Sequence, residues 1–372
     1  MPVGFNFGAM LAWTSFVCFC VTGAAHRSVI LFVVASVLGG GALAFAVRSH
    51  MRLGASALYV LLALVLAIPL VLIKALYYPV SIMFFVAVPA SIAVALFIFE
   101  FPAFFRIKAL LICLLSVYFV LVLAGHDPGE VFVGSRNQIS TLFVALSAVA
   151  LVINRSRYDI FLALSVFIAC VVAVGSSGII SSGVILAAVL FRDYKWRAAF
   201  CLAGTLAFVL MGNLFFMDYL PDDLVLKFNM ERLLGGDVRY QIIEGYIADY
   251  SSGYFLLMGA PEGVLFSVYD ALSYGGGYGD VGTLHNSYLS AHMKMGIASF
   301  VVFLSIIRVA WLLRRNLFFL ALFFSILVRA FSDTVFIVDG YYNFAFFFYY
   351  ILAERLSGRG TGGGVLSAGN RP

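Results

Sequence analysis

Charge is what this chain has least of. Only 11% of its 372 residues are Asp, Glu, Lys or Arg, against about 25% in soluble domains, which excludes a cytosolic globular protein. Its apolar stretches run continuously instead of alternating with polar residues, which excludes a transmembrane β-barrel. The five cysteines (Cys18, Cys20, Cys113, Cys170, Cys201) all lie in apolar segments, and none has metal-ligand spacing with a histidine. They read as buried free thiols, not as a disulfide framework or a zinc site. The first apolar stretch lacks a basic leader and runs directly into another, so it reads as an anchor and not a cleavable signal. No repeat relates the two halves, which disfavours a secondary transporter. The net charge of +5 follows membrane topology and implies no nucleic-acid partner. Nothing calls for a metal or cofactor.

What is present is hydrocarbon: 63% of residues are hydrophobic and the mean hydropathy is +1.06. Apolar runs of roughly 20 residues recur to residue 353, as in an all-α integral membrane protein. The pattern predicts about 12 transmembrane helices: 7–25, 28–47, 54–73, 80–99, 107–124, 138–153, 159–175, 178–191, 197–217, 287–313, 317–337 and 341–354. Residues 1–217 hold the first nine, 218–284 one large loop with short helices, 285–356 the last three, and 357–372 a flexible tail.

Basic residues orient these spans. Loops after even-numbered spans, with the tail, hold 14: Arg48, Arg52, Arg106, Lys108, Arg155, Arg157, Arg192, Lys195, Arg197, Arg314, Arg315, Arg355, Arg359 and Arg371. Short loops after odd-numbered spans hold only Arg27, Lys74 and Arg136. Positive residues stay in the cytoplasm, so both termini are expected there and the large loop outside.

That loop, Asp218 to Leu284, carries ten of the 18 acidic residues against three bases, Lys227, Arg232 and Arg239. Seven of its tyrosines run from Tyr240 and Tyr246 to Tyr278. Aromatic faces with a polar edge suit sugar rings, but they equally suit a cap lying at the membrane interface. Residues Arg239 to Asp249 have apolar positions at helical spacing and lead to a turn bracketed by Gly259 and Gly263. Arg239 suits a phosphate, or an ordinary pairing with Glu244 or Asp237. The loop closes on His285-Asn286-Ser287-Tyr288-Leu289. Asn286 and Ser287 are good N-caps for a span-length helix. His285 would then stand at the positive end of a helix dipole, which attracts anions and favours neutral imidazole. It is either a base or a hydrogen-bonding residue. His292 lies seven residues on, too far for a shared metal. Lys294, Arg329 and Asp333 fall inside the last spans, where charge is expensive; Arg329 and Asp333 are spaced to neutralise each other. Arg136 and Asn137 sit in the other sizeable outward loop.

In order along the chain, Gly134-Ser-Arg-Asn-Gln138, the late loop, Arg239 with Gly259 and Gly263, and His285-Asn286 with Leu289 and Gly296 resemble the bacterial O-antigen polymerase and O-antigen ligase superfamily. The resemblance implies a metal-independent, membrane-embedded C-type glycosyltransferase fold in the bacterial inner (cytoplasmic) membrane. It implies undecaprenyl-pyrophosphate-linked oligosaccharide as substrate, contact with membrane lipid, and a chain-length regulator as partner. It implies catalytic roles for His285 and Arg239, and substrate binding by Arg136, Asn137, Arg232, Asn286, Tyr240 and Tyr288. One departure concerns the head of a middle span, where many members carry Ser-Arg-Gly and this chain has Ser176-Ser177-Gly178. The missing arginine helps hold phosphate in ligase-type members. That leaves the role to Arg136, Arg232 or Arg239, and favours polymerase over ligase. A lipid-linked oligosaccharide flippase or solute transporter is the alternative from another class.

Overall fold

The computed structural model describes residues 7–24, 28–128, 131–132, 136–153, 155–173, 176–192, 238–250, 253–261, 266–270, 277–281, 284, 286–332, 336–337 and 340–358. The elements are α1 (Phe7–Ala24), α2 (Val29–Arg48), α3 (Ala55–Ala75), α4 (Phe84–Glu100), α5 (Pro102–Phe105), α6 (Ile107–Leu123), α7 (Arg136–Ile153), α8 (Asp159–Val172) and α9 (Ser176–Leu190). Then come α10 (Val238–Tyr250), α11 (Gly253–Met258), β1 (Phe266–Asp270), β2 (Gly277–Val281), α12 (Ser287–Met295), α13 (Ser299–Leu313), α14 (Leu317–Ser332) and α15 (Asn343–Ser357).

This is a helical membrane protein. Among the described residues, four helical runs are long and apolar enough to cross a membrane: Val29–Arg48, Ala55–Ala75, Pro102–Leu123 and Ser287–Leu313. Six further apolar helices are shorter. A helix lies within every predicted span except 197–217, which falls outside the described residues, as does the tail beyond 358. The large loop adds an antiparallel hairpin that the apolar pattern did not announce, with Phe266 opposite Val281 and Asp270 opposite Gly277.

Three helices form the centre. Residues Ala87–Ile98 of α4 are nearly all buried, as are Ile139–Val152 of α7 and Phe344–Ala353 of α15. Small residues let backbones approach here, the usual basis of helix association where lipid removes the hydrophobic drive. A Cβ on Gly39 of α2 would lie 2.5 Å from Ala90 Cβ of α4, and one on Gly178 of α9 would collide with Ser140 of α7. Ser15 of α1 donates to the Ala35 carbonyl of α2 at 2.6 Å. Outer faces stay apolar: Val29, Ile30, Val120, Leu304 and Ile307 are all exposed. Cys201 lies outside the described residues; of the other cysteines, Cys20 and Cys170 are buried and Cys18 is partly so, but Cys113 is exposed on α6, contrary to expectation. Its helix turns that side outward, where a thiol is apolar enough to remain.

The basic residues are joined through shared carboxylates and rings. Asp159 accepts from Lys108 and, at 2.8 Å, from Arg192. Glu354 takes the Ser56 backbone and hydroxyl and a two-pronged bond from Arg308. Arg355 pairs with Glu100 and reaches the Arg52 carbonyl, and the guanidinium groups of Arg155 and Arg192 lie over Phe318. Residues 52, 100, 108, 155, 159, 192, 318 and 355 therefore lie towards one end of the helices.

Candidate functional site

At the opposite end the chain wraps a short helix against a broken one. The predicted span 287–313 is not continuous: α12 ends at Met295, Gly296 takes φ 55, a single 3-10 turn follows, and α13 begins at Ser299. The break has a steric cause. A Cβ on Gly296 would collide with the Leu257 carbonyl, and one on Gly259 (φ 76) with the carbonyls of His292 and Met293. The α11 backbone crosses the end of α12 at a distance only two glycines permit. Gly263 lies outside the described residues.

The α12 N-terminus is built as its sequence suggests. Asn286 is the N-cap, its side-chain oxygen accepting from the Tyr288 and Leu289 backbones at 2.9 and 3.1 Å. Ser287 accepts from the Phe336 backbone at 3.2 Å. Tyr288 turns inward, donating to the Leu327 carbonyl at 3.2 Å and packing edge-on against Phe303. Its hydroxyl is thus held by α14.

The expected helix after Arg239 is α10, and it docks on α12. Ile242 and Tyr246 form a small buried cluster with Ala260 and Leu284, against which Tyr250, Leu289 and Met293 pack. Tyr246 reaches His292 Nδ1 at 2.8 Å, and His292 Nε2 lies 3.1 Å from the Leu256 carbonyl. A carbonyl only accepts, so Nε2 carries a proton and Nδ1 takes the phenolic one. The Ala260 backbone bonds the Tyr246 oxygen, while burial pushes that phenol well above its ordinary pKa. Tyr246 therefore stays a donor. His292 is consumed in holding α10 and α11 in place.

Lys74 is the residue sequence reasoning undervalued, as merely one base in a short loop. It lies in the last turn of α3, only 1% exposed. Its ammonium donates to the carbonyls of Met293 (2.6 Å), Ala260 (3.3 Å) and Lys294 (3.4 Å). A cation at a helix C-terminus complements the dipole there, and here it also ties the 259–261 turn to α12. Position at the outer end of a span was the only sequence signal for it.

Arg329 of α14 is fully buried, with Nε on Thr141 of α7 at 2.7 Å and Nη1 on Ser177 of α9. Asp333, the expected neutralising partner, lies outside the described residues. Ser177 occupies the position where the resemblance expects arginine, and a guanidinium from another helix stands beside it. Tyr342 lies within electrostatic reach of Arg329. The Tyr342 hydroxyl and both polar atoms of the Asn343 amide are buried with no hydrogen-bond partner among the described residues. Native proteins rarely leave such groups unsatisfied.

Of the sequence-predicted residues, His285 and Arg232 lie outside the described residues. Arg239 and Tyr240 are the second and third residues of α10, two turns before its docking tyrosine, and Arg136 and Asn137 open α7; of these four only the backbone is described. The structure joins the neighbourhoods of two motifs, since Ile242, three residues after Arg239, shares a buried cluster with Leu284, the residue before His285. Among the described residues no three His, Cys, Asp or Glu side chains come together as for a metal. No protein-family model, curated protein or solved structure matches the chain.

Proposed function

We propose that the protein is a glycosyltransferase, a polymerase of bacterial surface polysaccharide repeat units. It transfers a growing glycan from undecaprenyl pyrophosphate onto a lipid-linked repeat unit at the outer face of the inner membrane. The observation that carries this reading is the docking of α10 on α12, through the cluster shared by Ile242, Tyr246 and Leu284. It supports pairing Arg239 with His285, the two residues to which the resemblance gives the chemistry.

In the proposed reaction the acceptor hydroxyl oxygen bonds to the anomeric carbon, and the bond from that carbon to the pyrophosphate oxygen breaks. His285 takes the hydroxyl proton, and Arg239 and Arg136, with Arg232 as a further cation, neutralise the departing pyrophosphate. The donor is already activated on lipid, so no nucleotide site is needed. Donor and acceptor share one membrane face, which lowers the entropic cost of their encounter. Buried Arg329 adds fixed positive charge, and the unsatisfied Tyr342 and Asn343 groups offer polar partners for phosphate or sugar oxygens.

His285→Ala and Arg239→Ala are expected to abolish long glycan while leaving the protein inserted; wild-type ladders from both would refute the assignment. In a deletion strain a polymerase leaves single repeat units attached, whereas loss of a ligase leaves none. Purified protein that consumes lipid-linked repeat units in detergent excludes a flippase or solute transporter.

A further inference from the structure

At the basic end, a cavity of about 400 Å³ opens between the end of α13, the start of α14 and the end of α15. Among the described residues its lining is Trp311, Leu312, Arg314, Arg315, Asn316, Leu356 and Ser357, with no carboxylate. The Arg314 guanidinium lies over the Trp311 indole, 3.3 Å from its centroid, and donates one bond to the Trp311 carbonyl at 3.0 Å. That contact fixes the plane of the guanidinium while leaving most of its N–H groups without a partner among the described residues. Arg315 is exposed and pairs with no described residue. Asn316 uses its oxygen to cap Phe319 at 3.3 Å, which leaves its amide N–H groups as donors.

Apolar surface leads into this cavity. Phe300, Leu304, Ile307 and Trp311 are spaced four, three and four residues apart, so they line one face of α13, each between 49% and 66% exposed. A hydrocarbon track that ends at two arginines, an aromatic ring and an amide matches one kind of molecule: acyl chains below, a phosphodiester above. The neighbouring cavity of about 440 Å³ differs instructively. It holds His50, Arg52 and Arg355, but Glu100 lines it as well and pairs with Arg355, so one of its two arginine charges is cancelled.

We propose that the α13–α14–α15 cavity is a binding site for an anionic phospholipid, its phosphate held by Arg314, Arg315 and the Asn316 amide and its chains lying along the Phe300–Trp311 stripe. Arginine suits phosphate through its planar fork of donors, and basic pockets between helices at a membrane surface recruit anionic headgroups. The site is independent of the glycosyltransferase reading.

Trp311 is a built-in reporter. The test uses a Trp13→Phe, Trp196→Phe variant, with Trp311 as sole tryptophan, in phosphatidylcholine vesicles doped with brominated phosphatidylglycerol or brominated phosphatidylcholine. Brominated phosphatidylglycerol should quench to half-maximum at a mole fraction roughly thirtyfold lower, as two surface arginines imply. Arg314→Gln with Arg315→Gln should erase the difference, and added inorganic phosphate should not restore the fluorescence. Equal quenching by the two lipids, as from a cavity covered by a second copy of the chain, would overturn the proposal. So would displacement by phosphate alone, or a preference that survives the double substitution. On the otherwise native chain, the ratio of phosphatidylglycerol to phosphatidylethanolamine retained through detergent purification should fall in the same double variant. An unchanged ratio also overturns it.

Discussion

Tyr246→Phe isolates the bond that holds α10 in place. Phenylalanine keeps the ring, and with it the packing against Ile242 and the tilted contact with Tyr250. What goes is one oxygen, which donates to His292 Nδ1 at 2.8 Å and accepts from the Ala260 backbone. Each buried polar group left unsatisfied costs about 1–3 kcal/mol. Ala260 and His292 are buried, but His292 keeps its second bond to the Leu256 carbonyl, so a total near 2 kcal/mol is reasonable. That corresponds to roughly a 30-fold shift between docked and undocked α10. Amide hydrogen exchange on detergent-solubilised protein should show protection of residues 242–250 falling by about that factor, while the centre of α4 is unchanged. A cycle with His292→Ala should show strong coupling, because the two substitutions remove the same bond. Protection within threefold of the parent, or fully additive effects, would refute the view that this bond anchors the helix. Long glycan should decline in parallel if the anchored helix presents Arg239.

Three further outcomes follow from the same end of the molecule. Gly259→Ala should destabilise by roughly 3 kcal/mol, combining left-handed backbone strain with a clash against two carbonyls. Gly253→Ala, also at positive φ but facing open space, should cost only the strain, and equal unfolding midpoints for the two would refute the close crossing. Lys74→Met removes three carbonyl bonds but also relieves a buried charge, so a loss of about 2 kcal/mol is expected, read as faster exchange at residues 259–261; a more stable variant would contradict the clamp. Arg329→Lys should cost about 2–3 kcal/mol, because a single ammonium on a shorter side chain cannot stand at both the Nε and Nη1 positions that meet Thr141 and Ser177, and thermal unfolding within 0.5 kcal/mol of the parent would show those bonds carry little.

Much of the site's framework was legible locally. Asn286 reads as an N-cap because a short acceptor ahead of an apolar helix has one obvious use, and the Arg239–Asp249 spacing announces α10 because its docked face must be apolar. The hairpin went unannounced, since its second strand, Gly277-Tyr-Gly-Asp-Val281, shows no apolar alternation and reads as loop. The break at Gly296 was equally hidden: a glycine in an apolar run does not reveal that another backbone passes over it. Arg329 was visible as an expensive charge, but its Thr141 and Ser177 partners come from helices far away in the chain.

By itself, then, the sequence determined that this is a helical membrane protein, and which loops gather at its basic end. Continuous apolar runs can satisfy their backbone in lipid only as helices, and the basic residues are concentrated in alternate loops. Which helices lie inside was decided by tertiary structure alone. Lipid and protein interior are almost equally apolar, so exposed Val29 and Ile30 and buried Ile92 and Val94 look alike in sequence. Shape separates them: glycine, alanine and serine mark where α4 and α7 admit neighbours, and two glycines set where α11 crosses α12. Only with that crossing in place do Lys74, Tyr246 and His292, remote in sequence, close on one another.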